Sequence, residues 1–167
     1  MRNAKLSLVL WSDNVSIYSP KLEGELETEF EKFLNKHRDI QVQQLKDDFN
    51  RIIAALDKVL VSGAKENLFR PEGKYSDGVC AVPLLAVHRR KDIGTLRLYC
   101  LRLDDNNMIV GNGAIKTTRT TQESPELQEI VNTLHNLDVA IKECIRKGIL
   151  VVADNKIENI DSITISI

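Results

Sequence analysis

Hydrophobic and polar positions along the chain follow two periods, and the changes of period mark the expected elements. Residues 5–19, KLSLVLWSDNVSIYS, alternate polar and apolar side chains on either side of a Ser-Asp-Asn turn, which predicts one strand or a short hairpin. From 21 to 37 the period lengthens. Leu22, Leu26, Phe30, Phe33 and Leu34 recur at helical spacing, with glutamates on the opposite, solvated face. A second helix is expected over 39–63, where Leu45, Phe49, Ile52, Ile53, Leu56 and Leu60 form the stripe and Gly63 supplies the stop. The short link between the two predicts an antiparallel helix hairpin.

After Phe69 the pattern changes again. FRPEGKY, residues 69–75, has little periodicity, and three strand-like runs follow: 79–87 (VCAVPLLAV), 94–103 (GTLRLYCLRL) and 107–116 (NMIVGNGAIK). Pro83 removes a ladder donor, so the first run should be an edge strand or be bulged there. In the second, Leu96, Leu98 and Cys100 share one phase and Leu101 and Leu103 the other, pointing to a bulge near Cys100 or to burial on both faces. DDNN before the third run is a hairpin signal, so these strands should pair antiparallel. In the third run Ile109, Gly111, Gly113 and Ile115 keep a period of two, as in a strand that continues through its glycines.

Ser124 and Pro125 then open a third helix, with Glu126 in its positive first turn. Leu127, Ile130, Val131, Leu134, Leu137, Ile141 and Ile145 keep its stripe, and Arg146, Lys147 and Gly148 end it. ILVVAD and SITISI, joined by NKIENID, form a final hairpin or an added edge strand. The expected architecture is a single α+β domain over residues 1–167: an N-terminal strand, a helix hairpin, an antiparallel sheet of three or more strands and a C-terminal helix. Residues 1–148 form the core and 149–167 a C-terminal β extension.

Composition narrows the class without naming a function. At 167 residues with 43% apolar content, the chain is long enough for one real core. Three scattered cysteines, Cys80, Cys100 and Cys144, match neither a disulfide framework nor a zinc spacing, and read as small core residues. The apolar LSLVLW is too interrupted for a secretory signal and VCAVPLLAV too short for a membrane span, so a reducing cytoplasm and no membrane are expected. The net charge of −1 is uneven: residues 1–63 carry 9 basic against 10 acidic groups, 64–119 carry 10 against 6, and 120–167 carry 4 against 8. A basic middle between acidic flanks either presents one positive face to an anion or belongs to an evenly mixed surface.

Residues 108–127, MIVGNGAIKTTRTTQESPEL, gather glycines, Lys116, Arg119 and hydroxyl side chains between a strand and a helix. A nucleotide loop would need its second glycine directly before the lysine, and here Ala114 and Ile115 intervene. Lys116 and Arg119 therefore call for another explanation: anion binding, or hydrogen bonds to the acidic start of the third helix at Glu123 and Glu126. His37 and His135 have no ligand partner at metal spacing and read as structural, so no metal or cofactor is expected.

The passage LRLYCLRLDDNNMIVGNGAIKTTRTTQESPEL, together with the element order, resembles the RelE/HigB-type toxins of bacterial toxin–antitoxin pairs, including the phage-derived HigB-like branch. In that family a strand of the form Arg-Leu-x-Tyr is followed by a turn, a hydrophobic strand carrying glycine, and a Lys-Lys-Thr…Pro-x-x-acidic passage leading into a helix. Here Arg97 and Tyr99 on one strand, Lys116 and Thr117 after the next and Pro125 at the helix start follow in the same order, and the likeness covers roughly residues 21–146.

The resemblance implies a small cytoplasmic toxin that cuts messenger RNA, often on the ribosome, and is held inactive by an antitoxin encoded beside it. In-line attack of a ribose 2′-hydroxyl on the adjacent phosphate needs a base, an acid and positive charge on the phosphoryl oxygens, and no metal. On this view Arg97, Lys116 and Arg119 stabilise the phosphate, with Arg70 and Lys74 from the preceding loop in reserve. Tyr99 stacks on a base or donates a proton, unless it is a half-buried strand aromatic. His88 acts as acid or base. His88, Arg89 and Arg90, in the HRRK cluster at 88–91, form an RNA-contacting loop or an ordinary solvated turn. Alternation puts Arg97 and Tyr99 on one side of their strand, and the neighbouring strand ends in Lys116, so the basic groups should converge. The alternative is a non-enzymatic interaction module of the same RelE/ParE-like fold whose basic sheet face binds an acidic protein partner; separately, a related branch of the family acts by binding DNA gyrase instead of cutting RNA.

Overall fold

A computed structural model describes residues 2–71, 78–82, 90–117 and 124–167. Its order of elements is β1 (Asn3–Trp11), β2 (Ser16–Leu22), α1 (Glu29–His37), α2 (Gln43–Ser62), β3 (Arg70–Pro71), β4 (Val79–Ala81), β5 (Thr95–Arg102), β6 (Asn107–Lys116), α3 (Pro125–Arg146), β7 (Val152–Ala153), β8 (Lys156–Ile157) and β9 (Ile165–Ser166). The fold is α+β. One sheet runs in the order β3-β4-β5-β6-β2-β1-β9, and β7 and β8 form a separate small hairpin. Among the described residues no helix is long and apolar enough to cross a membrane.

The sheet is covered on both faces, which explains the two apolar phases of β5. Leu96, Leu98 and Cys100 join a core with Phe30 and Phe33 of α1 and Leu45, Ile52 and Leu56 of α2. Tyr99 and Leu101 join the opposite core with Leu127, Leu134 and Leu137 of α3. Of the two alternatives, burial on both faces holds for β5, which keeps its alternation; the ladder between β5 and β6 does carry a bulge, but its extra residue is in β6. Leu98 faces Gly113 and Cys100 faces Val110, so Gly111 and Asn112 together stand opposite Tyr99. Pro83 lies outside the described residues.

The first helix begins later than its apolar spacing suggests. Leu22 ends β2, and Leu26 is 91% exposed in the connection. The stop signal is local: Thr28 Oγ1 accepts from the Glu31 N–H at 3.2 Å, and Glu31 Oε2 accepts from the Thr28 N–H at 3.1 Å. This capping box satisfies two groups that the helix start would otherwise leave open, and it fixes the helix at Glu29. The polar/apolar alternation of 5–19 is a true hairpin, β1 with β2, turned at Ser12 to Val15. Its turn docks on the end of α2: Ser12 Oγ donates to the Leu60 carbonyl at 2.6 Å and Asn14 Nδ2 to the Val61 carbonyl at 3.1 Å. Asp48 of α2, fully buried, accepts from the Leu96 N–H at 3.0 Å and ties that helix to β5.

Pairing within 79–116 is antiparallel, as expected. The sheet as a whole is mixed, however, because β2 lies parallel to β6 with Ser16 opposite Asn107 and Tyr18 opposite Ile109. Of the two expectations for the last residues the added edge strand is the one realised, and the hairpin that does form pairs ILVVAD with NKI, not with SITISI. ILVVAD turns back through Asp154 into NKI as the β7–β8 hairpin, while SITISI adds β9 to the edge of β1. Leu150, Ile157, Ile163 and Ile165 are buried in the α3-side core, so 149–167 belongs to the same packing unit as α3.

Candidate functional site

Three backbone features place the basic residues. In β5, Arg97 lies between Leu96 and Leu98, both committed to the α1–α2 core, so its side chain leaves on the α3 side. In β6, Met108 and Val110 face α1–α2 while Ile109 and Gly111 face α3; beyond the bulge Ala114 faces α3 and Ile115 faces α1–α2. The phase has switched. Lys116 shares parity with Met108 and Val110, and an unbroken strand would have sent it to the α1–α2 side. The extra residue at Gly111 and Asn112 turns it onto the face of Arg97. Arg97 pairs with Ala114 and Thr95 with Lys116, so the two cations are diagonal neighbours on one face, about 7–8 Å apart at the backbone. Both are half-buried. The straight period of two expected through Ile109, Gly111, Gly113 and Ile115 is therefore corrected at the bulge.

Two glycines and an asparagine make that bulge. Asn112 Oδ1 accepts from the Gly113 N–H at 2.8 Å. A Cβ on Gly113 would stand 1.9 Å from the Arg97 carbonyl oxygen and 2.9 Å from its carbon, so β5 and β6 approach where only glycine fits. A Cβ on Gly111 would instead meet the Leu134 side chain at 2.9 Å.

The other candidates divide. Tyr99 shares the Arg97 face but is 0% exposed beneath α3, so it is a fully buried strand aromatic and not a half-buried one. Burial wins because the ring sits among Leu127, Leu134 and Leu137. Arg90 is exposed at the same end of the sheet but on the α2 layer: its N–H donates to Gln44 Oε1 at 2.9 Å, and its guanidinium pairs with Asp92 at 2.7 Å. Arg102 is structural, donating to the Ala64 carbonyl at 2.7 Å and to Asp105. Arg70 begins β3, and its side chain is not described. Arg119, Lys74, His88 and Arg89, with Glu123, lie outside the described residues.

Lys36 is a residue the sequence did not single out. It pairs with Glu126 at 2.6 Å across the end of the sheet, from the last turn of α1 to the first turn of α3. It adds a cation beside the α3 start. Its neighbour His37 is buried against Phe33, ring centres 5.1 Å apart. Burial lowers its pKa, Lys36 lowers it further, and a backbone hydrogen bond to Gly113 and the charge of Glu126 oppose them. The unfolded chain takes up this proton near pH 6.5, the folded chain only at lower pH. Between those values the unfolded state binds more protons, so His37 draws stability down as pH falls and contributes no loss above 6.5. Urea unfolding at about pH 7.5 and about pH 5.5 should show a smaller stability difference for His37→Gln than for the unaltered protein. Equal differences would remove His37 as the cause. Among the described residues, no three His, Cys, Asp or Glu side chains are grouped to hold a metal ion.

No family model, curated protein or solved structure matches the chain.

Proposed function

We propose that the protein is the toxin of a bacterial toxin–antitoxin pair, of the RelE/HigB type, and cleaves messenger RNA without a metal. The observation that carries this reading is the convergence of Arg97 and Lys116 on one sheet face through the bulge in β6. A strand irregularity that re-aims one cation beside another suits a phosphate site, since donors held in place before the reaction stabilise developing charge without reorganising. The order of helices and strands, and the proline-started α3 after Lys116, agree with the resemblance of the sequence to that family. The partner on this reading is an antitoxin from the neighbouring gene, and the compartment is the cytoplasm.

A second reading is supported by a different observation. Arg97 and Lys116 bring charge but no proton transfer, and the aromatic beside them, Tyr99, is buried. Among the described residues the basic face carries no acid–base pair, which suits a binding module acting on an acidic protein partner. Induced expression separates the two. The toxin reading expects growth arrest with new 5′ ends inside coding regions by primer extension on total RNA. Arg97→Ala and Lys116→Ala should each reduce cleavage by about a hundredfold, of order 3 kcal/mol of transition-state stabilisation, with an unchanged urea midpoint. Arrest without new ends supports the binding module. No arrest by a folded, expressed protein rejects the toxin.

A further inference from the structure

We propose that Cys80 and Cys100 form a reversible disulfide across β4 and β5. The register sets the two residues directly opposite one another. The Val82 N–H donates to the Leu98 carbonyl at 2.9 Å two residues along, so Cys80 and Cys100 occupy a hydrogen-bonded site of the antiparallel ladder. Cα atoms at such a site are about 5.5 Å apart, inside the roughly 4.4–6.8 Å that a disulfide spans. Both side chains leave on the α1–α2 face: Cys100 belongs to that core and Cys80 packs against it. In the reduced pair Cys100 Sγ lies 3.6 Å from the Cys80 carbonyl oxygen and Cys80 Sγ 3.3 Å from the Gly78 carbonyl oxygen, so each thiol has to turn about its Cα–Cβ bond to meet the other. Cys144 sits in α3 against the opposite core and has no part in the pair.

The sequence hides this pairing. Cys80 and Cys100 fit no disulfide framework by spacing, and only the register of β4 against β5 brings them together. The geometry also sets the character of the bond. Opposed Cβ atoms in an antiparallel ladder are about 4.5–5.5 Å apart, whereas a relaxed disulfide holds them at roughly 3.5–4.5 Å. Closure must draw the strands together, and a bond formed under strain is readily reduced. Only three residues of β4, Val79–Ala81, need to follow.

Access assigns the order of events. Cys100 is fully buried, and burial, followed by the charge of Cys80, pushes its thiol well up. Cys80 is partly exposed and meets the oxidant first. With a peroxide as oxidant, the Cys80 thiolate attacks the O–O bond, gives a sulfenic acid and releases hydroxide, which leaves as water. Cys100 sulfur then displaces the sulfenic hydroxyl, its own proton departing with that group as a second water. Two thiols are oxidised to one disulfide, and the peroxide is reduced to water. A dithiol reductant returns both electrons and both protons.

The test uses the full reduced chain, treated with one equivalent of hydrogen peroxide, alkylated with N-ethylmaleimide and mapped by mass spectrometry without reduction. The expected result is one linked peptide pair containing Cys80 and Cys100, with Cys144 alkylated and the bond lost in dithiothreitol without denaturant. Cys80→Ser, which spares the buried position, should abolish the linked pair, and Cys144→Ser should leave it intact. Cys80 oxidised to sulfinic acid with no linked pair would overturn the proposal. So would disulfides found only through Cys144 between two copies, or a Cys80–Cys100 bond that resists dithiothreitol until the protein is unfolded.

Discussion

Gly113→Ala is expected to destabilise the protein by more than about 3 kcal/mol and to remove the candidate site with the fold around it. An added methyl at 1.9 Å from the Arg97 carbonyl oxygen cannot be accommodated by a rotamer change, because the obstacle is backbone on both sides. Either β6 leaves β5 from Gly113 onward or the bulge is lost. Loss of the bulge would return Lys116 to the α1–α2 face, away from Arg97. Gly111→Ala is the matched control. Its methyl would meet only the side chain of Leu134, at 2.9 Å, and a Leu in a helix has another rotamer available, so the expected loss is about 1 kcal/mol. Urea unfolding of both variants checks the ordering. Equal losses would show that the bulge tolerates a side chain and that the close approach of β5 and β6 is not what fixes Lys116.

The parts of the fold that were legible are those whose signals are local. Ser124 and Pro125 open α3 where they were expected to, and Gly148, at φ 73°, closes it. Gly63 ends α2 differently, as the C-cap itself, with φ 97° and ψ 161°. The start of α1 is local too: Thr28 and Glu31 have the spacing of a capping box, a signal that the helical stripe read through Leu22 and Leu26 did not take in. The parallel pairing of β2 with β6 was beyond local reading: Ser16 and Asn107 meet across a long connection, and no turn residue announces it. The candidate site divides on the same lines. The alternation placing Arg97 opposite the α1–α2 core is visible in Leu96 and Leu98, whereas the face of Lys116 depends on a one-residue slip at Gly111 and Asn112. Glycine inside a strand is a recognised bulge signal, and here the evenly spaced isoleucines around it obscured the slip. Tyr99 became a buried residue because α3 crosses over β5, a tertiary fact that its own strand does not encode.

Removing residues 149–167 is expected to abolish cooperative folding rather than trim an ornament. The segment buries Leu150, Ile157, Ile163 and Ile165 in the α3-side core. At about 1.5–3 kcal/mol for each fully buried aliphatic side chain, their loss amounts to about 6–12 kcal/mol, as large as the roughly 5–15 kcal/mol that holds a typical domain together. Polar groups add to the loss. Asn107, itself fully buried, donates to the Asp154 carbonyl at 2.8 Å, and the buried Tyr18 hydroxyl accepts from the Ile157 N–H at 2.9 Å. Asn107 would keep its bond to Asp104 at 3.1 Å but the Tyr18 hydroxyl would lose Ile157, and a buried polar group left short of a partner costs about 1–3 kcal/mol. β9 also covers the edge of β1 at Asn3 and Ala4, so the cut would bare that edge to pairing with other chains. A chain ending at Gly148 should therefore show no sigmoidal thermal transition by circular dichroism and should aggregate on concentration. A sharp transition within a few degrees of that of the whole protein would mean that the core under α3 closes without the segment. Ile157→Ala in the full chain gives the graded case, an expected loss of about 2–5 kcal/mol with cooperative unfolding retained.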